Sequence, residues 1–575
     1  MDNRQVAETF NAMADILEIQ GATYHRVMAY RRAAENIAAL GQPLEEIWRR
    51  GDLESIPGIG TTLAAKIDEL MRTDELEAYQ ELRAAVPEGV VAMLHVPGVG
   101  PKSAARFWKE LGVESIEGLA RAAEAGRLRQ LRGFGAKSEQ NVLDGIDMLK
   151  QRTGRTRLGD AWPLAQDMLA AIQKLPSVIQ AAPAGSLRRM RETVGDLDLL
   201  VASADPEPVM EQFRRLPQVE DVLLSGPTKT SIRTHQGLQV DLRVLEPERW
   251  GTALQYFTGS QAHNIRLRGL ALDQGLSLSE YALKGEGGSE ILCATEEQVY
   301  HGLGLPLIPP ELREDRGEIL AASEGRLPDL VELADLRGDL QFHTAWSDGH
   351  HSLLKMARSA RAHGLDYALV TDHSHGLGIA GGLSVERLQE QQAEIAAVNK
   401  TLGGRFRVLA GVEVEIRGDG TLDLPDEVLS ELDVVVAAIH GGLRQDRGQL
   451  TSRVLKAIHN PNVDIIAHPT GRLIGERAGG DLDMEAVFSA AAETGTALEI
   501  NAHPARLDLN DVHARRAVEL GVKLAINSDS HDVRGFDLLR FGVATARRGW
   551  VTAADVVNTR PVEGLLRWAS RKQPK

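Results

Sequence analysis

The chain has 575 residues, too many for one hydrophobic core and enough for roughly three to five compact units. At 43% hydrophobic and 25% charged residues it has the composition of a soluble globular protein. It has no apolar run of membrane-spanning length and no signal-like segment between Met1 and Phe10, so no membrane is expected and the cytoplasm is the simplest address. A net charge of −16 excludes a uniformly basic surface, and a single cysteine, Cys293, excludes an intrachain disulfide and a cysteine-cornered zinc site, which leaves His, Asp, Glu and Gln to hold any metal.

From Met1 to about Lys150 apolar residues recur at three- and four-residue spacing with few β-branched runs, which predicts small helical modules. A short glycine turn recurs within them: Ile56-Pro-Gly-Ile-Gly60, Val96-Pro-Gly-Val-Gly100 and Leu131-Arg-Gly-Phe-Gly135. Between about Gly159 and Leu245, alternation predicts strands at Asp196–Leu200 and Leu238–Val244 around a helical Pro208–Leu216 segment, a mixed α/β unit. The Pro-, Glu- and Arg-rich stretch from about Leu305 to Arg337 breaks the periodicity and is expected to be a linker. Beyond it, short apolar runs alternate with helical segments, as in a βα-repeat architecture.

A Pro-Gly-apolar-Gly turn that opens a helix turns backbone N–H groups outward, and the helix start adds partial positive charge, so a phosphate is held without side-chain charge. A single copy is as readily a packing device. Gly58 with Gly60 and Gly98 with Gly100 are the candidate DNA-backbone contacts, with Arg31 as a basic neighbour for a 5′-phosphate. The copies resemble helix-hairpin-helix motifs. The first resembles the small N-terminal domain of X-family DNA polymerases and the second their fingers. In that family a lysine at the place of Lys66 forms a Schiff base with an abasic sugar. The position four residues earlier, where a second lysine is often found, is Thr62, so lyase chemistry and simple phosphate contact both remain open for Lys66.

Asp196 and Asp198 lie two apart on a predicted strand and leave the same face, while Leu197 and Leu199 point inward. Asp241 lies in a second alternating strand and completes a three-carboxylate cluster if the strands are neighbours, an arrangement suited to two Mg²⁺ ions (or Mn²⁺) in nucleotidyl transfer. Alone, Asp-x-Asp is common on surface strands. Here it closes the segment Gly185-Ser-Leu-Arg-Arg-Met-Arg-Glu-Thr-Val-Gly-Asp-Leu-Asp198, which resembles the signature of the nucleotidyltransferase palm. Gly185 permits close chain approach, Ser186 and Arg189 are placed to donate to triphosphate oxygens, and Gly195 belongs to the same signature. Val194 stands where many relatives have Ser. Tyr256-Phe-Thr-Gly-Ser-Gln-Ala-His-Asn264 resembles a segment peculiar to X-family polymerases. That resemblance implies that Tyr256, Phe257 and Gly259 line the sugar pocket, Asn264 contacts the base edge and Arg268 the template side.

Of the 17 histidines, 12 fall after residue 340, and apolar runs there end repeatedly in a potential ligand: His373, Glu413, His440, His468, and Asp529 with His531. In a parallel βα barrel the C-terminal strand ends converge on one mouth. The set resembles the polymerase-and-histidinol-phosphatase (PHP) family over about residues 335 to 575. Its opening Asp339-Leu-Gln341-Phe-His343-Thr-Ala-Trp-Ser-Asp348 matches the family's His-x-His start except at Gln341. A neutral amide is the weaker ligand there, for which Asp339, His350 or His351 are candidate replacements. Mixed imidazole and carboxylate ligands favour a Mn²⁺ or Zn²⁺ cluster, and the resemblance implies 3′-to-5′ exonuclease and 3′-end cleaning.

The expected fold is multidomain α/β: helix-hairpin-helix modules, a palm with thumb, and a PHP-type βα barrel. The expected segments are residues 1–85, 86–155, 156–250 (palm), 251–315 (thumb), 316–336 (linker) and 337–575 (barrel). The expected function is a gap-filling repair polymerase, acting as a monomer on gapped or nicked DNA with a 5′-phosphate and on dNTPs, with a nuclease barrel. A polymerase carrying only a relic barrel, and a non-catalytic DNA-end scaffold, are the alternatives.

Overall fold

The computed structural model describes residues 3–38, 44–56, 58–73, 76–96, 99–152, 155–285, 289–377, 380–443 and 445–570. The chain forms two compact units: residues 1–154 with 234–238 and 265–275, and residues 155–233, 239–264 and 276–575. This division is coarser than the six expected segments.

The first unit is helical over its N-terminal stretch. Helices α1 (Asn3–Gln20) and α2 (Tyr24–Ala38) bury Phe10, Met13, Leu17, Tyr30, Ala33 and Ile37 against each other, the spacing of one helical face. Helix α3 (Thr61–Thr73) leaves the first glycine turn and buries Leu63, Ile67 and Leu70. A second core gathers around α4 (Pro101–Leu111), which inserts Ala104 and Phe107 and stops at Gly112, φ +67°. Helix α5 (Ala136–Arg152) follows the third turn.

The second unit opens with a five-stranded sheet of β1 (Gln180–Pro183), β2 (Leu197–Ala202), β3 (Val219–Ser225), β4 (Lys229–Thr234) and β5 (Gln239–Leu245). The spatial order is β1-β2-β5-β4-β3. Strands β2 and β5 are parallel, with Asp198 opposite Asp241. Helix α6 (Trp250–Thr258) is largely buried. A Cβ on its Gly251 would come within 2.2 Å of the Thr295 backbone, a closeness of approach that only glycine allows.

The segment expected to be a linker is built into this unit. Helix α7 (Glu318–Ser323) carries a fully buried Glu318 that accepts from His263 Nδ1 at 2.6 Å, while His263 Nε2 meets the Tyr300 hydroxyl at 2.9 Å. Part of the polar composition that marks a linker in sequence, Arg313, Glu314 and Glu318, is here charge paired inside the fold, and only the partners reveal it.

Seven parallel strands complete the unit: β6 (Gly338–Phe342), β7 (Tyr367–Val370), β8 (Arg407–Glu415), β9 (Val434–Ala438), β10 (Ile465–Ile466), β11 (Ala497–Asn501) and β12 (Leu524–Asn527). They run in sequential order, and Phe342 bridges Ser530 beyond the last strand, nearly closing a barrel. Leu340, Leu369, Leu409, Val434, Val436 and Ile465 form one core. Ala368, Val370, Val408, Val435, Ala437 and Leu498 join a second with residues of the surrounding helices. The period of two thus divides each strand between two cores. At the C-terminal ends the inner positions turn polar.

Candidate active sites

In the five-stranded sheet the parallel register sets Asp198 beside Asp241, and Asp196 stands exposed just before β2. Burial, then the charges of Asp196 and Asp241, push Asp198 up to about 7, the expected response of crowded carboxylates. Burial also opposes charge on Asp241, but Lys229, whose Nζ lies 2.7 Å from Asp241 Oδ2, and Gln239 outweigh it and hold this carboxyl below its usual range. Gly185 backs the cluster: its φ is +58°, and a Cβ there would lie 2.4 Å from Asp198 Oδ2. Ser186 is half-buried beside it, and Gly195 is exposed in the loop before Asp196.

Tyr256 and Phe257 meet edge to face with ring centroids 5.1 Å apart, and the Arg243 guanidinium lies 4.5 Å from the Phe257 centroid. Asn264 is buried; its Oδ1 accepts from Gln255 at 2.8 Å and its Nδ2 donates to the Tyr256 carbonyl at 2.7 Å. Arg268 is half-buried further along helix Gln261–Asp273 and falls in the first unit. Arg189, expected to donate to triphosphate oxygens, already has partners within the chain. Its Nε bonds Glu314 at 3.0 Å and its Nη1 bonds the Thr258 carbonyl, next to Gly259, because a guanidinium this buried needs a carboxylate.

In the barrel the sequence-derived ligands come together. Glu413 is 1% exposed and has four imidazole nitrogens around it: His468 Nε2 at 3.0 Å, His373 Nδ1 at 3.1 Å, His440 Nε2 at 3.2 Å and His343 Nε2 at 3.5 Å. His343 Nε2 also lies 3.2 Å from Asp529 Oδ1, and Asp348 lies 3.4 Å from both His373 and His531. Two groups, His343 with Asp348, His373 and His531, and His373 with Glu413 and His440, have ligand atoms close enough to share an ion. Burial opposes charge on His440, but Glu413 and Glu415 overcome it and raise the imidazole to about 10; Asp348 and Asp529 likewise raise His531 to about 9. The centre is built to attract positive charge. Both ring nitrogens of His343, Nδ1 of His373 and Oε2 of Glu413 are buried without a well-aligned hydrogen bond, which fits donors kept for metal. His468 and Asp529 hold positive φ, +27° and +53°, strain of the kind that collects at functional sites.

Three expected candidates lie apart from these groups. A register shift between Asp339 and Phe342 breaks the alternation, and the Asp339 carboxylate accepts from Ser528 and from the Gln341 backbone, with burial pushing it up to about 7. His350 and His351 lie near Asp532, 3.9 Å and 3.2 Å away, outside both groups. Gln341 is fully buried, and neither atom of its side-chain amide has a partner.

Supporting residues went unseen in the sequence. Glu415 takes His440 Nδ1 at 2.6 Å, Glu499 accepts from the His468 backbone at 2.6 Å, and Asn501 donates to Asp529 at 3.0 Å. Period-two counting from Glu413 marks Glu415, and a polar pair ending an apolar strand marks Glu499 and Asn501; nothing local marks Lys229.

In the helical unit, Gly58 takes φ +78°, and a Cβ on Gly60 or Gly100 would meet nothing within 4 Å. Gly98 lies outside the described residues. Lys66 is half-buried on α3. Arg31, the expected basic neighbour of a 5′-phosphate, pairs with Asp15 at 2.7 Å and Glu18 at 3.0 Å.

A carboxylate-bearing palm with a helical DNA-binding module and a separate His/Asp/Glu-lined barrel defines a nucleotidyl-transferring polymerase joined to a metal-dependent phosphoesterase. Family models match as a DNA polymerase beta thumb over residues 253–314, a helix-hairpin-helix domain over 1–76 and a SAM-like helix-hairpin-helix tandem over 90–147. The DNA polymerase/3′-5′ exonuclease PolX of Bacillus subtilis is 39% identical over 574 residues, covering 99% of this chain and 100% of that one. DNA polymerase lambda of Rattus norvegicus is 25% identical over 341 residues, 54% of this chain and 56% of its own. A probable phosphatase of Thermoanaerobacter sp. is 32% identical over 236 residues, 38% of this chain and 89% of its own. The chain belongs to the PolX family of DNA polymerases/3′-5′ exonucleases.

Proposed function

We propose that the palm fills short gaps in DNA during repair, using dNTPs on gapped DNA with a 5′-phosphate, and that the barrel removes or cleans 3′ ends. The observation that carries the first half is the register of Asp198 on Asp241 with Gly185 pressed behind them. Asp196, Asp198 and Asp241 hold Mg²⁺, or Mn²⁺, and the metal supplies charge for the triphosphate and activation of the primer hydroxyl. Tyr256 and Phe257 form the wall of the sugar pocket. The glycine turns at Gly58–Gly60 and Gly98–Gly100 track the DNA backbone, and Lys66 contacts phosphate or an abasic sugar.

The barrel half rests on the convergence of imidazoles on Glu413. His343, Asp348, His373, Glu413, His440, His468, Asp529 and His531 hold a Mn²⁺ or Zn²⁺ cluster, with Glu415 fixing the His440 ring and Glu499 the His468 backbone. The test is a gapped, 5′-phosphorylated DNA incubated with Mg²⁺ or Mn²⁺, with and without dNTPs. Asp241→Ala should lose extension and keep 3′-end degradation, and His468→Ala should do the reverse. Normal extension by folded Asp241→Ala would overturn the palm reading; unchanged degradation by His468→Ala would overturn the barrel reading.

A further inference from the structure

We propose that Arg548, on barrel helix Leu539–Arg548, is a positioning residue for nucleotide binding at the palm. Its side chain is 4% exposed. One nitrogen, Nη1, donates to the Arg189 carbonyl at 2.7 Å and to Glu314 at 2.9 Å. Glu314 in turn takes Arg189 Nε at 3.0 Å, and Arg189 Nη1 holds the Thr258 carbonyl. Arg548 therefore grips Arg189 at both ends, by its backbone directly and by its guanidinium through Glu314. Its second nitrogen, Nη2, is anchored on Asp511 at 2.8 Å, which also takes Arg316 at 2.9 Å.

What this clamp fixes is the pocket wall. Arg189 follows the Gly185–Arg188 helix that backs Asp198 and precedes Met190, whose φ is +53°. A non-glycine residue in that region persists only when its neighbours hold it. On the other side, Thr258 and Gly259 directly follow Tyr256 and Phe257. The sharing of one carboxylate matters as well: with Arg548 present, Glu314 faces a second buried cation, and its pull on Arg189 is divided. Without Arg548, Glu314 would be left to Arg189 and to the more exposed Arg191, 3.6 Å away, and the Arg189 carbonyl would lose its buried donor, so both the position and the effective charge of Arg189 would change. Arg548 touches neither metal centre, so its effect should fall on dNTP binding rather than on chemistry at either site.

The proposal rests on the reading of Tyr256, Phe257 and Arg189 as the nucleotide pocket, and the experiment separates the two. Single-nucleotide insertion into gapped DNA by the full chain is measured for Arg548→Met, Arg548→Lys, Arg189→Met, the Arg189→Met/Arg548→Met double variant and Arg547→Met. The last removes a neighbouring cation that binds Glu311 at 2.7 Å but makes no link to Arg189. Arg548→Met is expected to raise KM for the dNTP about tenfold with kcat changed less than about twofold, the signature of lost uniform binding. Arg548→Lys should recover most of that loss, Arg547→Met should leave KM near the parental value, and the double variant should be no worse than Arg189→Met, as for residues acting in series. Mn²⁺-dependent degradation of 3′ ends should match the parent in Arg548→Met. A rise in KM for Arg189→Met with none for Arg548→Met overturns the clamp and leaves the pocket reading standing. No change for either overturns both. An equal rise for Arg547→Met, or equal loss of nuclease and polymerase in Arg548→Met, overturns it in favour of general support.

Discussion

Replacing Gly185 by alanine tests the palm through one added methyl group. The new Cβ would lie 2.4 Å from Asp198 Oδ2, where ordinary contact begins at about 3.4 Å, so the carboxylate or the chain at 184–186 must give by about 1 Å. The backbone also resists: φ is +58°, and the left-handed region costs an L-residue roughly 1–2 kcal/mol. Displacement of a catalytic group by about 1 Å costs on the order of 10²-fold in rate, or about 2.7 kcal/mol on the barrier. The assay is insertion of one nucleotide into gapped DNA at saturating dNTP, with Mn²⁺-dependent degradation of 3′ ends as the internal control for folding. The expected result is a kcat about a hundredfold lower with the nuclease intact. Insertion at the parental rate by a folded variant would refute the argument that Gly185 exists to let Asp198 approach.

Two further outcomes follow from buried groups. Burial opposes charge on Glu296, but Arg313 and Arg188 outweigh it and hold the carboxyl at about 2. Its folded value is depressed, so its contribution, on the order of 3 kcal/mol, is present above about pH 4.5 and is lost as pH falls toward 2; the difference in urea stability between the parent and Glu296→Gln should shrink across that window, and a difference constant from about pH 6 to 3.5 would contradict it. The unpartnered buried amide of Gln341, two residues before His343 of the candidate metal group, makes Gln341→His the informative exchange: imidazole binds transition metals better than an amide, so calorimetric titration should show Mn²⁺ held about tenfold more tightly, whereas superimposable isotherms would place Gln341 outside the ligand set.

The features legible in the sequence are those that complete themselves within a few residues. The glycine turn at Ile56–Gly60 opens α3, the Asp196–Asp198 spacing lies at the start of a strand, and apolar runs ending in His373, Glu413 and His468 lead to one cluster, because period two and the shared polarity of parallel strands carry inner residues to one mouth. The three- and four-residue apolar spacing likewise corresponds to buried helical faces such as that of Phe10, Met13 and Leu17. By itself, then, the chain determined its helical modules, its carboxylate strand and its ring of strand-end ligands.

Tertiary structure decided which partner each group finds. Asp241 becomes a neighbour of Asp198 only through the pairing of β2 with β5, and Asp339 meets Ser528 where a register shift overrides simple alternation. The first part of a charge-rich stretch is interior structure, where Glu318 meets His263. Arg189, a plausible phosphate donor by motif, is held by Glu314 and Arg548, the latter 359 positions away. Burial is the physical reason: a charge removed from water must find its counter-charge wherever the fold brings one, and sequence spacing does not encode pairings across such distances.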